Sequence, residues 1–289
     1  MTLGVARNPY ATNVADRLIA TAGRLGVPVR LIDLPSLGVS VQPGGELTVA
    51  DEHGPVAASS LAPYLLFGFP AAVVALGVIA RAGRAQNPVD GVLLADDKAA
   101  AAARLARAGV PQVRTEICAQ EPGRVSAAAQ RIGYPVVVKR AHGAQGRWVR
   151  RASSPAEFMG ALRELEAEGP GALILQPEVV EYTGRSVRVV ITGGQVLAVT
   201  ERVAAVGDFR SNVSGGASQY PTELTDHERQ LAVRAADVLA LKHAGVDLLR
   251  TAQGPQILEV NACPDFTSME PYFGFSLARA VLLASTGGS

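Results

Sequence analysis

The chain has few cysteines and few aromatic residues, and these scarcities exclude whole classes of protein. Only two of its 289 residues are cysteines, Cys118 and Cys263, and neither lies in a CxxC or Cys/His pattern. The sequence therefore encodes neither a disulfide framework nor a zinc motif, and we expect a reducing, cytoplasmic setting. The first residues, MTLGVARNPY, lack a basic segment followed by a long apolar run, so we expect no signal peptide.

The chain also lacks an excess of charge of either sign. It carries 27 basic and 26 acidic residues, a net charge of +1, which predicts neither a nucleic-acid nor a membrane partner. Its most apolar stretch, residues 61–80, is interrupted by Pro63, Gly68, Pro70 and Gly77. We interpret it as strand, turn and buried helix. A membrane role is the alternative, since its length is close to that of a membrane span.

Lysine is the scarcest of the common charged residues. There are only three, Lys98, Lys139 and Lys242, against 24 arginines. A chain that uses arginine wherever any cation will do is expected to keep lysine where a compact ammonium is required.

Strand and helix patterns alternate along the chain, which predicts an α/β (mixed α+β) protein. Up to about residue 95 the rhythm is that of a small parallel α/β domain, with a strand at Leu65–Phe69 and a helix over 71–84 among its elements. An Ala-rich helix then begins at Asp96-Asp97 and ends before Gly109-Val110-Pro111. Further strands and helices follow to the C-terminus. They include a helix over 155–168, for which Ser154-Pro155 supplies a cap and a first-turn proline, and a helix over 225–241. A two-residue hairpin turn is expected at Gly193-Gly194.

Two polar clusters interrupt apolar strands near the C-terminus. Asp247 lies within AGVDLL, and Glu259 and Asn261 flank Val260 after Ile257. Residues two apart on a strand share a face, so we expect Glu259 and Asn261 to point the same way, with Ile257 on that face too. Such an all-oxygen set suits Mg²⁺ or Mn²⁺. The alternative is that each residue is a solvated strand end.

Two further segments have features of anion-binding sites. Lys139 ends a run of three valines and is followed by the glycine-rich loop 141–147, whose backbone N–H groups could approach phosphate oxygens; the alternative is an edge lysine that reaches solvent. The loop 206–219 is rich in glycine and serine and contains Arg210, a residue type suited to anionic substrates. Its alternative is a solvated turn.

These segments together resemble the ATP-grasp superfamily, specifically the RimK-like carboxylate–amine ligases. The resemblance rests on YPVVVKRAHGAQG, VGDFRSNVSGG, AGVDLLR and ILEVNACP, which occur in this order over roughly residues 88–285. It implies an ATP-grasp fold, in which two α+β subdomains clamp ATP, preceded by a small parallel α/β domain. The expected units are 1–95, 96–175 and 176–289.

The resemblance also implies roles for individual residues. Asp247, Glu259 and Asn261 match the ligands of Mg²⁺ or Mn²⁺, with two ions expected. Ser186 stands where the family has a carboxylate near the nucleotide sugar, and Glu178 or Glu181 is the candidate substitute. The full set expected to bind ATP is Lys98, Lys139, Gly143, Gln145, Gly146, Gln176, Pro177, Glu178, Ser186, Arg210, Ser211 and Asn212.

The implied reaction joins a carboxylate to an amine with ATP, through an acyl phosphate, and releases ADP and phosphate. Arg202 and Arg210 are the expected catalytic residues, holding the carboxylate or the acyl phosphate, whereas Cys263 is interpreted as a packing residue rather than a nucleophile. The acceptors considered are a protein or peptide tail, a carrier protein and a small metabolite. A small-molecule kinase and a non-catalytic nucleotide-binding scaffold are the alternative functions. We expect a homodimer or homotetramer.

Overall fold

A computed structural model of the chain describes residues 2–7, 12–56, 60–61, 74–75, 77–78, 87–143 and 146–286. The predicted strand Leu65–Phe69 lies outside these residues, as do most of the predicted helix 71–84 and most of the apolar stretch 61–80. Within the described ranges, no helix combines the length and the apolar character needed to cross a membrane.

In the described residues of the first part of the chain, two small sheets are accompanied by helices. Its elements are β1 (Leu3–Arg7), α1 (Thr12–Arg24), β2 (Val29–Asp33), β3 (Gly38–Val41), β4 (Leu47–Asp51), β5 (Gly54–Pro55), β6 (Ser60–Leu61) and α2 (Val89–Asp96). Strands β2, β1 and β6 form a parallel sheet in that order, as the strand–helix rhythm predicts. Strands β3, β4 and β5 form a separate antiparallel sheet.

The middle part forms a four-stranded antiparallel sheet in the order β7-β10-β8-β9. Its elements are α3 (Lys98–Arg107), β7 (Glu116–Ala119), α4 (Pro122–Ile132), β8 (Val136–Arg140), β9 (Val149–Ala152), α5 (Pro155–Glu166) and β10 (Ala172–Pro177). Val136 and Val138 face a core shared with α4 and α5. Alternation along β8 therefore turns Lys139 toward the other face.

The last part forms a five-stranded antiparallel sheet in the order β13-β12-β11-β14-β15. Its elements are β11 (Arg185–Thr192), β12 (Gln195–Val203), β13 (Ser218–Pro221), α6 (Asp226–Val238), β14 (His243–Thr251), β15 (Gly254–Asn261) and α7 (Leu277–Thr286), with short 3₁₀ turns at Val180–Tyr182, Val213–Gly215 and Glu270–Tyr272. The short strand β13 begins inside the segment that the sequence predicts as a loop over 206–219.

Helix ends are fixed by side chains that satisfy free backbone N–H groups. The Asp97 carboxylate accepts hydrogen bonds from the N–H groups of Ala99 and Ala100 at 2.9 and 3.1 Å. The Ala-rich helix therefore begins at Lys98, two residues later than predicted, and α2 is a separate helix that was not predicted. Ser154 caps α5, as its Ser-Pro signature predicts, and the turn at Gly193-Gly194 has positive φ at both residues.

The two faces of the five-stranded sheet differ sharply in composition. One face is apolar and packs against α2, α3 and α6, with Val187, Val189, Val246 and Leu248 all fully buried. The opposite face packs partly on α1 and α7 through Val190 and other apolar residues. The rest of that opposite face is polar, and it positions the candidate site.

Candidate active site

Side chains from all five strands form two polar rows across one face of the five-stranded sheet. The strand register aligns Thr200, Arg188, Asp247 and Glu259 in one row. The neighbouring row contains Gln219, Arg202 and Ser186. Most of these groups are at least nine-tenths buried: Arg188, Arg202, Asp247, Thr200, Ser186 and Gln219. Charged groups are rarely buried unless they pair with an opposite charge or bind a ligand. This face is therefore the strongest candidate for a functional site.

Arg188 and Asp247 form a bidentate pair at the centre of the first row. The Arg188 Nε and Nη2 atoms donate to the two carboxylate oxygens of Asp247, at 2.5 and 2.6 Å. Burial opposes ionisation of Asp247, but the charge and hydrogen bonds of Arg188, with Arg202 and Lys139, hold the pKa of Asp247 below its usual range. Gly245 makes room for this pair, because a Cβ at that position would lie 3.0 Å from Arg188 Nη1 and 2.6 Å from Pro264 Cβ.

Arg202 is a second buried arginine, and its partners are incomplete. Its Nη1 atom lies 3.8 Å from Asp247 Oδ1, and its buried Nε–H has no hydrogen-bond partner among the described residues. Burial and the nearby Arg188 lower the pKa of Arg202 to about 10. A buried cation with an unsatisfied donor is costly, and an anionic ligand at this position would satisfy it.

The two lysines predicted to contact phosphate lie in different surroundings. Lys139 is 7% exposed on β8, and burial lowers its pKa while the charges of Glu259 and Asp247 act in the opposite direction. Lys139 therefore lies on the face of β8 away from the apolar core, within electrostatic range of the carboxylates of the five-stranded sheet. The Lys98 Nζ atom donates to the Gly143 carbonyl at 2.6 Å, so Lys98 is attached to the glycine-rich loop.

The glycine-rich loop and the loop that contains Arg210 meet each other. A Cβ on Gly146 would lie 2.3 Å from the Asn212 Nδ2 atom, and Arg210 Nη1 donates to the Gly146 carbonyl at 3.4 Å. Arg210 is held by Asp208, to which its Nε and Nη2 donate at 3.0 Å. Gln145, also predicted to bind nucleotide, lies outside the described residues.

Residues predicted as the nucleotide hinge lie at the end of β10. The Gln176 amide donates to Thr115 Oγ1 at 3.0 Å. Glu178, which follows Pro177, accepts from Arg151 Nε at 2.7 Å and Thr183 Oγ1 at 3.0 Å, so both of its oxygens have partners. The Glu181 side chain, by contrast, is exposed.

Ser186 is hydrogen-bonded to the loop that contains Arg210. The hydroxyls of Ser186 and Ser211 lie 2.6 Å apart, and Ser186 is 2% exposed. The two predicted nucleotide-binding serines are therefore brought together, and their hydrogen bond connects β11 to the Arg210 loop.

The three predicted metal ligands are brought to neighbouring positions. Glu259 is the register partner of Asp247, and Asn261 is the register partner of Gly245. The Asn261 Nδ2 atom points to the Gly245 carbonyl at 3.5 Å, which leaves its amide oxygen for a cation. Two carboxylates and one amide oxygen fit the hard-ligand preference of Mg²⁺. In the described part of the chain, no group of three His, Cys, Asp or Glu side chains could hold a metal, so the fit depends on Asn261.

The predicted position of Ile257 is wrong. Ile257 lies in the apolar core together with Val260, three residues further on. The strand register shifts between Asp247 and Leu248, so that Leu258 is an extra residue on β15. A bulge of this kind reverses the alternation of side chains, and it places Ile257 on the face opposite to Glu259.

Arg188 was not among the residues predicted for the site. The signal was present, because Arg188 alternates with buried valines in the segment Ser186–Val190 just as Asp247 interrupts its own apolar strand. Gln219 was missed as well, because β13 was predicted as loop. Its Nε2 donates to the Ser268 carbonyl at 2.6 Å, which attaches the segment after Asn261 to the sheet.

The comparisons with known proteins are consistent with the site described above. The family model of the RimK-like ATP-grasp domain matches residues 95–284, and the chain belongs to this family. A probable alpha-L-glutamate ligase of Xanthomonas euvesicatoria pv. vesicatoria is 37% identical over 200 residues, which cover 68% of this chain and 66% of that protein. The match thus spans just under two thirds of that relative.

Solved structures extend the similarity to the whole chain. The ATP-grasp ligase PsnB, complexed with a minimal precursor, superimposes with a TM-score of 0.71 and 19% identity, over 99% of this chain and 97% of that one. The D-alanyl-alanine synthetase A of Vibrio cholerae O1 gives a TM-score of 0.70 with 14% identity, over 99% and 98%. The fold is therefore the ATP-grasp fold, as the sequence predicts.

Proposed function

We propose that the protein is an ATP-dependent carboxylate–amine ligase that forms an amide bond and releases ADP and phosphate. The observation that carries this proposal is the polar face itself. It combines two carboxylates and an amide with the buried Arg188 and Arg202, and the buried Lys139 lies within electrostatic range of its carboxylates. Family membership over residues 95–284 supports the choice of reaction.

The reaction begins when the carboxylate of the acid substrate attacks the γ-phosphorus of ATP, which gives an acyl phosphate and ADP. Asp247, Glu259 and Asn261 would hold Mg²⁺ or Mn²⁺, which when bound neutralises charge on the β- and γ-phosphates; the expected number is two ions. Lys139 and Lys98 are assigned to the phosphates of ATP. Phosphoryl transfer of this kind depends mainly on positioning and charge neutralisation.

The amine then attacks the acyl carbon, and phosphate leaves with the electron pair of the acyl–oxygen bond. Arg202 is assigned to the acid carboxylate and the acyl phosphate, because its unpaired Nε–H is a donor ready for an oxygen anion. Arg188 is placed beside it in the same role. Arg210 is assigned to the rim of the site, where the contact of its loop with the glycine-rich loop would cover the intermediate.

The hinge residues Gln176, Pro177 and Glu178 are assigned to the adenine through their backbone. For the sugar, the partners of Glu178 favour Glu181 as the substitute for the missing carboxylate at Ser186. A cytoplasmic location and a homo-oligomeric state stay predictions.

The test measures ADP and phosphate release from ATP and Mg²⁺ with panels of carboxylic acids and amines, together with detection of the amide by mass spectrometry. We expect phosphate release that requires an acid and an amine together. A phosphorylated acid or alcohol as the stable product would instead identify a kinase. Nucleotide binding without turnover under any pairing would identify a scaffold.

A further inference from the structure

Asp265 is an exposed carboxylate held at the edge of the candidate site. It lies four residues after Asn261, between the buried residues Pro264 and Phe266. Phe266 is fully buried in the core that α1 and α7 share. Because its two neighbours are fixed inside the protein, the backbone directs the Asp265 side chain outward.

Three hydrogen bonds fix the orientation of this carboxylate. Oδ1 accepts from the Thr267 N–H at 2.8 Å and from the Thr267 hydroxyl at 2.6 Å. Oδ2 accepts from Asn13 Nδ2, on the first turn of α1, at 2.9 Å. An ionised carboxylate offers about four acceptor positions, so one position remains on Oδ2.

The segment around Asp265 is anchored at two further points. The Ser268 carbonyl accepts from Gln219 on β13, and Glu270 pairs with Arg17 of α1. The segment therefore forms a fixed wall between the N-terminal helix and the five-stranded sheet.

The segment that carries Asp265 runs beside the two buried arginines of the site. Pro264 contacts Gly245 next to Arg188, because a Cβ on Gly245 would lie 2.6 Å from Pro264 Cβ and 3.0 Å from Arg188 Nη1. The Ser268 carbonyl accepts from Gln219, which is the register partner of Arg202.

The charge of Asp265 acts on both Arg188 and Arg202, raising the pKa of each, against the larger effects of burial. Within the described part of the chain it forms no ion pair with either. Arg202 keeps its unpaired Nε–H, and Asp265 keeps its free acceptor position.

A reaction that joins an acid to an amine needs recognition groups of opposite charge beside each other. Arg202 supplies the cation for the acid substrate, and Asp265 supplies an anion on the segment that borders the same face of the sheet. The nitrogen that reacts must lose its proton, whereas a carboxylate stabilises the protonated form of an amine that it binds. Asp265 therefore suits a cationic group other than the reacting nitrogen.

Resting on the proposed ligase function, we infer that Asp265 selects an amine substrate that carries a second, positively charged group. A diamine or a basic amino acid has this chemistry. An acidic amine such as glutamate would bring a like charge against Asp265, and the site disfavours it.

The test uses the acid that gives the largest amine-dependent ADP release in the experiment above. Two matched pairs of amines are compared by kcat/KM: lysine with norleucine, and glutamine with glutamate. The variants are Asp265→Asn, which keeps the shape of the side chain, and Asn13→Ala, which releases the carboxylate but keeps its charge. Asp237→Asn is the control, since Asp237 is an exposed aspartate on α6, behind the opposite face of the sheet.

For the wild type and the control we expect a preference of about tenfold or more for lysine over norleucine and for glutamine over glutamate, as one charge-assisted contact allows. Asp265→Asn should reduce both ratios to below about threefold without changing the KM for ATP, and Asn13→Ala should reduce them less. Ratios near one in the wild type, or ratios unchanged in Asp265→Asn, would overturn the inference and leave the ligase proposal intact. Absence of amine-dependent turnover with every pair would overturn both.

Discussion

The two faces of the five-stranded sheet are made by alternate residues of the same strands, yet one face belongs to the apolar core and the other forms the candidate site. Val187 and Val189 enter the apolar core, while Ser186 and Arg188 between and beside them enter the candidate site. The apolar face gains its stability from burial. The polar face buries several charges, which is costly unless they are paired or meet a ligand. The comparison predicts that substitutions on one face change activity and substitutions on the other change stability.

The largest expected effect is on the polar face. Glu259→Ala should lower ATP turnover by about a thousandfold or more, because it removes a carboxylate assigned to the metal that neutralises phosphate charge. The thermal unfolding temperature should change little, since Glu259 has no ion pair within the described residues. Near-normal turnover at saturating Mg²⁺ would contradict the metal assignment.

The matched substitution on the apolar face is Leu248→Ala, one residue along β14 from Asp247. Leu248 is fully buried in the core against the helices, and its truncation should lower the free energy of unfolding by about 2–5 kcal/mol. Activity per folded molecule should stay close to that of the wild type. Denaturant unfolding and active-site-normalised turnover measure both quantities, and a large loss of turnover in folded protein would show that the two faces are not independent.

Lys139→Ala tests whether Lys139, on the four-stranded sheet, belongs to the same site as the polar face of the five-stranded sheet. We expect ATP to bind about 10–100-fold more weakly, the loss of one charge-assisted contact of about 1.5–3 kcal/mol. Lys242→Ala is the control, because Lys242 lies in the turn between α6 and β14 and is not buried. Titration calorimetry with a non-hydrolysable ATP analogue gives both affinities. Equal affinities of the two variants for the ATP analogue would contradict the inference drawn from the scarcity of lysine.

The comparison also shows what can be read from the sequence. Lysine scarcity and the polar interruptions of apolar strands were local signals, and they led to Lys139, Asp247, Glu259 and Asn261, which the fold brings close together. The position of Ile257 was wrong because the bulge at Leu258 depends on how β14 and β15 pair, which periodicity alone does not contain.

Contacts between residues that lie far apart in the sequence could not be predicted from local patterns. The contact of Asn13 with Asp265 spans the chain from α1 to the segment after β15, and no pattern within either segment predicts it. The end of α6 is a smaller example. The helix was predicted to run to residue 241, but it stops at Val238, and Ala240 has a φ of 57°. A non-glycine residue in this conformation is uncommon.

Asp96 is a second partly buried carboxylate that can be compared with Asp247, and it lacks the arginine partner that Asp247 has. Burial raises the pKa of Asp96 to about 6, although His142 and Lys98 oppose this effect and Asp97 adds to it. The native state therefore keeps a proton on Asp96 at pH values where the unfolded chain has lost it. Stability contributed by this group is present below pH 4 and decreases as the pH rises to about 6.

Asp96→Asn should therefore stabilise the protein at pH 7.5 relative to the wild type, by at most about 2–3 kcal/mol. The difference should shrink as the pH falls from 6 to 4, since the wild-type carboxyl becomes neutral there. Chemical denaturation at several pH values measures it. A difference that stays constant with pH would show that Asp96 ionises normally in the native state.

The smallest expected effect concerns the loop at the rim of the polar face. Residues 207–216 have few buried apolar side chains, and the loop is held mainly by the Ser186–Ser211 hydrogen bond and by the contact of Arg210 with Gly146. Regions with few buried contacts open at little free-energy cost. An anionic nucleotide with Mg²⁺ and the acid substrate would give Arg210 a further partner, so hydrogen-exchange protection of this loop should rise by about tenfold on binding.

The hairpin turn at residues 42–46, in the separate sheet of β3, β4 and β5, is the internal control, and its hydrogen-exchange protection should not change. Equal protection of residues 207–216 with and without ligands would mean that the loop is already closed, and that Arg210 belongs to the wall of the site rather than to a moving cover.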